Sequence, residues 1–276
     1  MTKGKIIVVE GTDCSGKKTQ SEMLAERLTS EGEKSYYFGY PNYESPTGEI
    51  VGLPYLGKPW IARELINRHR IDTISKLKEL YIASHKDKEF DEKLVNKTID
   101  ILADELGCGW FPEGAPNVPA KIAGAYYAID RAYNAPKVES LLETGNVVMD
   151  RYIYSNMGHQ GGKIGTSEER DDFYTWNAKL ELEMFSLPED DIRMFLHVPT
   201  IYTGIIKKSR GEELDEHEKD ENHLRNAELA YLELASKYNF ETIECLKKHS
   251  DPIELSDVKT IDEIHEEVYK RVIRKL

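Results

Sequence analysis

The tightest constraint on this chain lies near its start, where the run Val8-Val9-Glu10 leads into Gly11-Thr12-Asp13-Cys14-Ser15-Gly16-Lys17 and then into a helical pattern. Gly11, four intervening residues, Gly16 and Lys17 fit G-x-x-x-x-G-K, a loop whose successive N–H groups close around an anion. Lys17 supplies a mobile cation. The next helix, with Met23, Leu24 and Leu28 on one face, turns the positive end of its dipole toward the same anion. A phosphate site built from Gly11, Asp13, Cys14, Ser15, Gly16, Lys17, Lys18 and Thr19 follows. One position departs from the pattern: the residue after Lys17 should carry a hydroxyl for Mg²⁺, yet it is Lys18, and Thr19 comes one residue late.

Such a loop needs a strand before it and a helix after it, and the rest of the chain repeats that alternation. Short apolar runs at Lys5 to Glu10, Ser35 to Tyr40, Asn146 to Asp150, Arg193 to Val198 and Phe240 to Glu244 read as five strands with helices between them. Strands separated by helices imply an α/β fold with a parallel sheet and right-handed crossovers. Ligands gather beyond the carboxyl ends of such strands, so the phosphate loop, the Tyr40-Pro41 turn, Asp150-Arg151 and the stretch after Val198 should share one cleft.

Between Tyr40 and Asn146 the chain spends about a hundred residues, far more than one crossover requires. Ile74, Leu77 and Tyr81 give one helical face, and Leu94, Thr98, Ile101 and Leu106 a weaker one, with His85 to Glu89 as the turn. Residues 57–115 therefore read as a helical insertion in a single domain spanning 1–276. Periodicity breaks at Gly107 to Pro116, before a helix that opens near Pro119.

Composition narrows the function. A net charge of -13 argues against non-specific binding to nucleic acid or an anionic membrane. No apolar run approaches the roughly 20 residues of a membrane span, and Met1 to Lys5 carries no signal-peptide pattern, so the expected location is cytoplasmic. Cys14, Cys108 and Cys245 are odd in number and far apart, as befits reduced thiols rather than a disulfide framework or zinc site.

Asp150 closes a buried strand beside the phosphate loop, where a metal-linked acid belongs; taken alone, such an Asp also serves as a helix cap. The residues beyond it carry more information. Asp150-Arg151-Tyr152 through Ser155 to His159-Gln160 resembles the D-R-Y-x-x-S-x-x-A-Y-Q signature of thymidylate kinases, with Gly158-His159 in place of Ala-Tyr. The phosphate loop is similar to E-G-x-D-x-x-G-K-x-T-Q of the same family at Glu10, Gly11, Asp13, Gly16, Lys17, Thr19 and Gln20. Tyr40-Pro41, the segment Ala125 to Arg131 and the basic stretch Lys207-Lys208-Ser209-Arg210-Gly211 extend the likeness over most of the chain outside the insertion.

The resemblance implies a P-loop kinase fold and transfer of the ATP γ-phosphoryl group to dTMP or a similar deoxynucleoside monophosphate, with Mg²⁺ accompanying ATP and a homodimer as the assembly. It further implies that Asp13 accepts a hydrogen bond from the acceptor's 3′-hydroxyl and that Arg151 grips its phosphate. Tyr127 and Arg131, at i and i+4 of one helix, would stack on the pyrimidine and reach its O4 edge. Tyr40, His159 and Gln160 complete the acceptor set. Lys17, Asp150, Arg151 and Arg210 form the catalytic set, Asp150 being the metal ligand. Members of the family place a transition-state Arg in the phosphate loop or in a lid. Cys14 stands at the loop position, so Arg210, in a lid over 204–222, becomes the expected finger. Asn42-Tyr43 lacks an Arg that many members use on the acceptor phosphate.

Three other readings share some of these features. A deoxynucleoside kinase has the same fold but an uncharged acceptor, against which Asp150-Arg151-Tyr152 argues. A GTPase switch needs N-K-x-D, and Asn96-Lys97-Thr98-Ile99 lacks its Asp. A binding domain with lost activity would account for Lys18 and the missing Arg.

Overall fold

In the computed structural model, described for residues 3–58, 60–65, 109–112, 114–211 and 221–276 and for isolated helical positions at 79, 93, 97, 101 and 104, five strands form one parallel sheet. They are β1 (Ile6–Gly11), β2 (Ser35–Gly39), β3 (Asn146–Asp150), β4 (Ile192–His197) and β5 (Glu241–Glu244), in the order β2-β3-β1-β4-β5. Each expected strand is present, with ends displaced by no more than one residue. The central strands are apolar on both faces because both are covered. Ile6 and Val8 turn to one layer, with Phe38, Met149, Phe195 and Tyr231, while Ile7 and Val9 turn to the other, with Leu24, Val148, Leu196 and Ile264.

The first layer holds α3 (Ala120–Leu142), α4 (Ile153–Gly161), α5 (Ser167–Ala178) and α7 (Glu221–Lys237). The second holds α1 (Lys17–Ser30), α6 (Thr203–Arg210) and α8 (Ile261–Val272). A short helix α2 (Pro46–Ile50), running on into a π turn Val51–Tyr55, follows β2. The helical hairpin expected within 57–115, Cys108 included, lies largely outside the described residues, and so does segment 212–220 of the expected lid. Cys14 and Cys245 are free thiols, in keeping with the reading of reduced cysteines. Among the described residues no helix is long and apolar enough to cross a membrane.

Register fixes where loops emerge. Val9 of β1 pairs with Asp150 of β3, and Glu10 pairs with Phe195 of β4, so the chain leaves β1 and β3 side by side. The N–H of Arg151 continues the ladder onto the Val9 carbonyl at 3.1 Å.

The packing of α4 on α7 rests on small residues. A Cβ on Gly162, just after α4, would come within 2.7 Å of the Ala227 backbone nitrogen, and one on Gly158 within 2.6 Å of the Tyr231 ring. At Gly162 the opposing atoms are backbone, which cannot rotate aside. Gly162→Ala is therefore expected to destabilise the fold by about 1–3 kcal/mol, read as a lower urea midpoint at unchanged m-value. An unshifted midpoint would show that α7 yields without cost.

Candidate active site

The loop between β1 and α1 is built around three unusual backbone positions. Gly16 caps α1 at φ 79°, and Cys14 sits at φ 62°, in the left-handed region that disfavours a side chain. Gly11 is required for a different reason: a Cβ there would lie 2.5 Å from both the Leu196 carbonyl oxygen and Ser15 Oγ. Thr12 anchors the loop to the end of β4, its Oγ1 donating to the Val198 carbonyl (2.7 Å) and accepting from the Val198 N–H (2.9 Å).

Lys17 is 6% exposed and its ammonium donates to the carbonyls of Gly11 (3.0 Å) and Thr12 (2.7 Å). Burial, with Arg151 nearby, lowers its pKa to about 8, against the pull of Asp13, Asp150 and Glu10. A phosphate in the loop would restore the full charge. Lys18 and Thr19 are exposed, and Lys18 reaches Glu22 at 3.8 Å rather than the loop.

Glu10 ties this loop to the D-R-Y segment. Its buried carboxylate accepts from the N–H groups of Tyr152 (2.8 Å) and Ser155 (3.0 Å), from Ser155 Oγ (2.6 Å) and from Tyr231 Oη (3.3 Å). Between the two anchors Arg151 adopts φ 70°. Its guanidinium lies 3.6 Å from Asp13 and donates to His159 Nε2 at 3.0 Å and to Ser155 Oγ at 3.4 Å. Burial pushes the Asp13 carboxyl up, but His159 when protonated, Lys17, Arg151 and Lys207 pull it down further, and it ends well below the usual carboxylate range.

Asp13, Tyr40, Tyr127, Arg131, Arg151, His159 and Gln160, the whole expected acceptor set, line one cavity of about 190 Å³, together with Pro41, Tyr43, Leu56, Lys58, Ser155 and Asn156. Buried Gln160 Oε1 has no hydrogen-bond partner, so it has an acceptor to offer. The ring of Tyr127 is held edge-on by Tyr55, with centroids 5.7 Å apart. Asp130, one residue before Arg131, fixes the opposite wall: it accepts from the Asn42 N–H (2.8 Å), Ser45 Oγ (2.9 Å) and Thr47 Oγ1 (2.8 Å).

Arg131 is not the open fork expected at a base edge. It is 2% exposed, and its Nε and Nη2 both donate to the buried carboxylate of Glu181, which also accepts from Asn177 Nδ2 at 2.9 Å. A guanidinium so engaged reaches the cavity with one edge at most. Sequence reasoning missed Glu181, which sits fifty residues away in an unremarkable charged helix and is revealed only by the pairing.

The basic residues of the expected lid separate. Arg210 is exposed and lines a second cavity of about 250 Å³ with Cys14, Ser15, Gly16, Thr19 and the apolar Val198, Ile206, Leu255, Val258 and Ile261. Lys207, one turn earlier, is 6% exposed and adds its positive charge to the field on Asp13. The sequence reading puts the finger at Arg210, with Lys207 and Lys208 as weaker substitutes.

Asp150 stands at the end of β3 with Oδ1 buried and lacking a hydrogen-bond partner. Burial raises its pKa, opposed by Arg151, Lys17 and Lys18. An acid with one buried, unsatisfied oxygen beside a phosphate loop fits a divalent cation or its water. No cluster of three or more His, Cys, Asp or Glu suited to a metal occurs among the described residues, so phosphate oxygens and water would have to supply the remaining ligands.

The Arg131–Glu181 pair generates a test. Glu181→Ala leaves a guanidinium buried without its counter-charge and should cost about 3–5 kcal/mol in urea denaturation. A loss below about 1 kcal/mol would mean that water reaches Arg131 and that the pair is not buried in solution.

No family model matches the chain. It is 25% identical over 269 residues to a probable thymidylate kinase of Methanocaldococcus jannaschii, covering 97% of this chain and 95% of that protein. It is 23% identical over 273 residues to the thymidylate kinase of Plasmodium falciparum, covering 99% and 91%. The solved structure of thymidylate kinase from Candida albicans shares the fold, with a TM-score of 0.61 and 18% identity over 99% of this chain and 92% of that one. Relatives of one kind thus match along nearly the whole of the chain, which is similar in sequence to thymidylate kinases and has the fold of a P-loop kinase.

Proposed function

We propose that the protein transfers the γ-phosphoryl group of ATP to dTMP, giving dTDP and ADP. The observation that carries this reading is the single cavity that joins Tyr127 and Arg131 at one end to Asp13 and Arg151 at the other, next to the phosphate loop. A flat ring between Tyr127 and the Tyr40-Pro41 turn would leave its sugar at Asp13 and its phosphate at Arg151.

Transfer between two nucleotides needs alignment and charge neutralisation more than covalent chemistry. Lys17 leaves the Gly11 and Thr12 carbonyls for the donor phosphates. Arg151 holds the acceptor oxygen in line with them. Asp13 accepts from the 3′-hydroxyl and repels an acceptor phosphorylated there. Mg²⁺, held through Asp150 and the phosphates, would neutralise charge on the donor. The apolar cavity lined by Val198, Ile206, Leu255 and Ile261 suits the adenine ring, with Arg210 over its face.

The finger role passes from Arg210 to Lys207. A cation acts on the transferring group by sitting beside it in a water-poor place, and among the described residues of 204–222 Lys207 is the cation that is buried and close enough to influence Asp13. Arg210, in contact with water, serves the donor.

We infer further that the chain forms one kinase domain with 57–115 as an insertion and 204–222 as a lid, and that it works in the cytoplasm as a homodimer. Ile122, Ile129 and Tyr133, exposed on one side of α3, support self-association.

With ATP and a panel of acceptors, kcat/KM for dTMP should exceed that for dGMP on the order of tenfold or more, because a cavity of about 190 Å³ leaves little room for a second ring. Transfer to thymidine alone would make the protein a nucleoside kinase, and no acceptor-dependent ADP would leave a nucleotide-binding domain. For the lid, Lys207→Ala should lower kcat on the order of 10³-fold. Arg210→Ala should raise the KM for ATP several-fold with kcat within about threefold. The opposite pattern would return the finger to Arg210.

A further inference from the structure

Arg151 has competing partners inside the cavity. Asp13 lies 3.6 Å away and, left to itself, a guanidinium would close on that carboxylate and cancel the charge meant for a phosphate. Something must hold the fork without neutralising it. Ser155 and His159 stand at i and i+4 on α4, both toward Arg151, at 3.4 and 3.0 Å. Arginine has donors only, so the bond to Nε2 requires a lone pair there, and the imidazole must be the neutral Nδ1–H tautomer.

The ring's surroundings enforce that form. Burial, together with Arg151, His223 and Lys17, holds its pKa well below the ordinary histidine value, although Asp13 pulls the other way. Tyr231 meets the imidazole edge-on, with centroids 5.5 Å apart, and comes that close to α4 because residue 158 has no side chain. Gly158 and His159, the two positions where the D-R-Y segment departs from the signature it resembles, thus act as one unit: the first admits Tyr231, and Tyr231 meets the ring of the second.

We propose that His159 is a positioning residue that acts as a neutral acceptor for Arg151 and keeps its guanidinium turned to the acceptor phosphate. Aspartate or glutamate in its place would cancel the cation, and lysine would repel it. The inference rests on the dTMP kinase reading given above.

The test compares dTMP with thymidine, which differ only in the phosphate assigned to Arg151, on folded wild type, His159→Phe and His159→Gln. Phe keeps a ring but has no acceptor, and Gln keeps an acceptor. His159→Phe should weaken dTMP binding and raise its KM about tenfold, with thymidine binding and the KM for ATP within about twofold, and His159→Gln should recover most of the loss. Equal loss for dTMP and thymidine, or no difference between Phe and Gln, would overturn the proposal and leave His159 as packing. On the wild-type protein alone, ¹⁵N NMR at neutral pH should find Nε2 unprotonated, the signal being assigned by its absence in His159→Gln. A protonated Nε2 would overturn the proposal whether or not dTMP is the substrate. Should wild type ignore dTMP yet use another monophosphate, the dTMP reading fails and the same comparison is run on that monophosphate and its nucleoside.

Discussion

The buried carboxylate of Glu10 is the contact on which the site depends. One side chain at the end of β1 receives four hydrogen bonds, from the backbone of Tyr152 and Ser155, the hydroxyl of Ser155 and the hydroxyl of Tyr231. It thereby joins the phosphate loop, the start of α4 and the face of α7. Burial pushes its pKa up, and the bonds from Ser155 and Tyr152 with the nearby charges of Arg151 and Lys17 work against that shift. Arg151 is placed by this clamp, since Tyr152 on one side and the Val9 ladder on the other leave it no alternative path.

Two non-glycine residues of the site, Cys14 and Arg151, hold left-handed backbone at φ 62° and 70°. Such positions cost on the order of 1–3 kcal/mol each and persist where neighbours over-determine them. Here the neighbours are the Thr12 anchor to Val198 and the Glu10 clamp. The return is geometric: the Arg151 guanidinium comes within 3.6 Å of Asp13, in the cavity that Tyr127 and Gln160 also line.

Electrostatics then separates residues that sequence treats alike. Buried Lys17 and Lys207 and half-buried Arg151 act on Asp13, whereas Lys18 and Arg210 are exposed and screened. Arg131 is diverted for the same reason. Its charge could be buried only with Glu181 opposite, and that pairing rather than the substrate sets the direction of its fork.

The five strands were legible because apolar runs between covered faces need no partner to be recognised, and the phosphate loop because Gly11, Gly16 and Lys17 answer to local backbone geometry. The residues that the resemblance assigns to an acceptor, Tyr127 and Arg131 by their spacing and Arg151 by the Asp150-Arg151-Tyr152 run, line one cavity. Beyond such reading were Glu181 against Arg131, Asp130 against the Asn42 turn, and the burial of Lys207 where its charge acts on Asp13. Sequence by itself determined the elements and the loop, because helix, strand and Gly-dependent turns are decided within a few residues. Tertiary structure decided which cation is buried and which acid it meets, because desolvation and ion pairing depend on neighbours that the chain brings from fifty or more residues away.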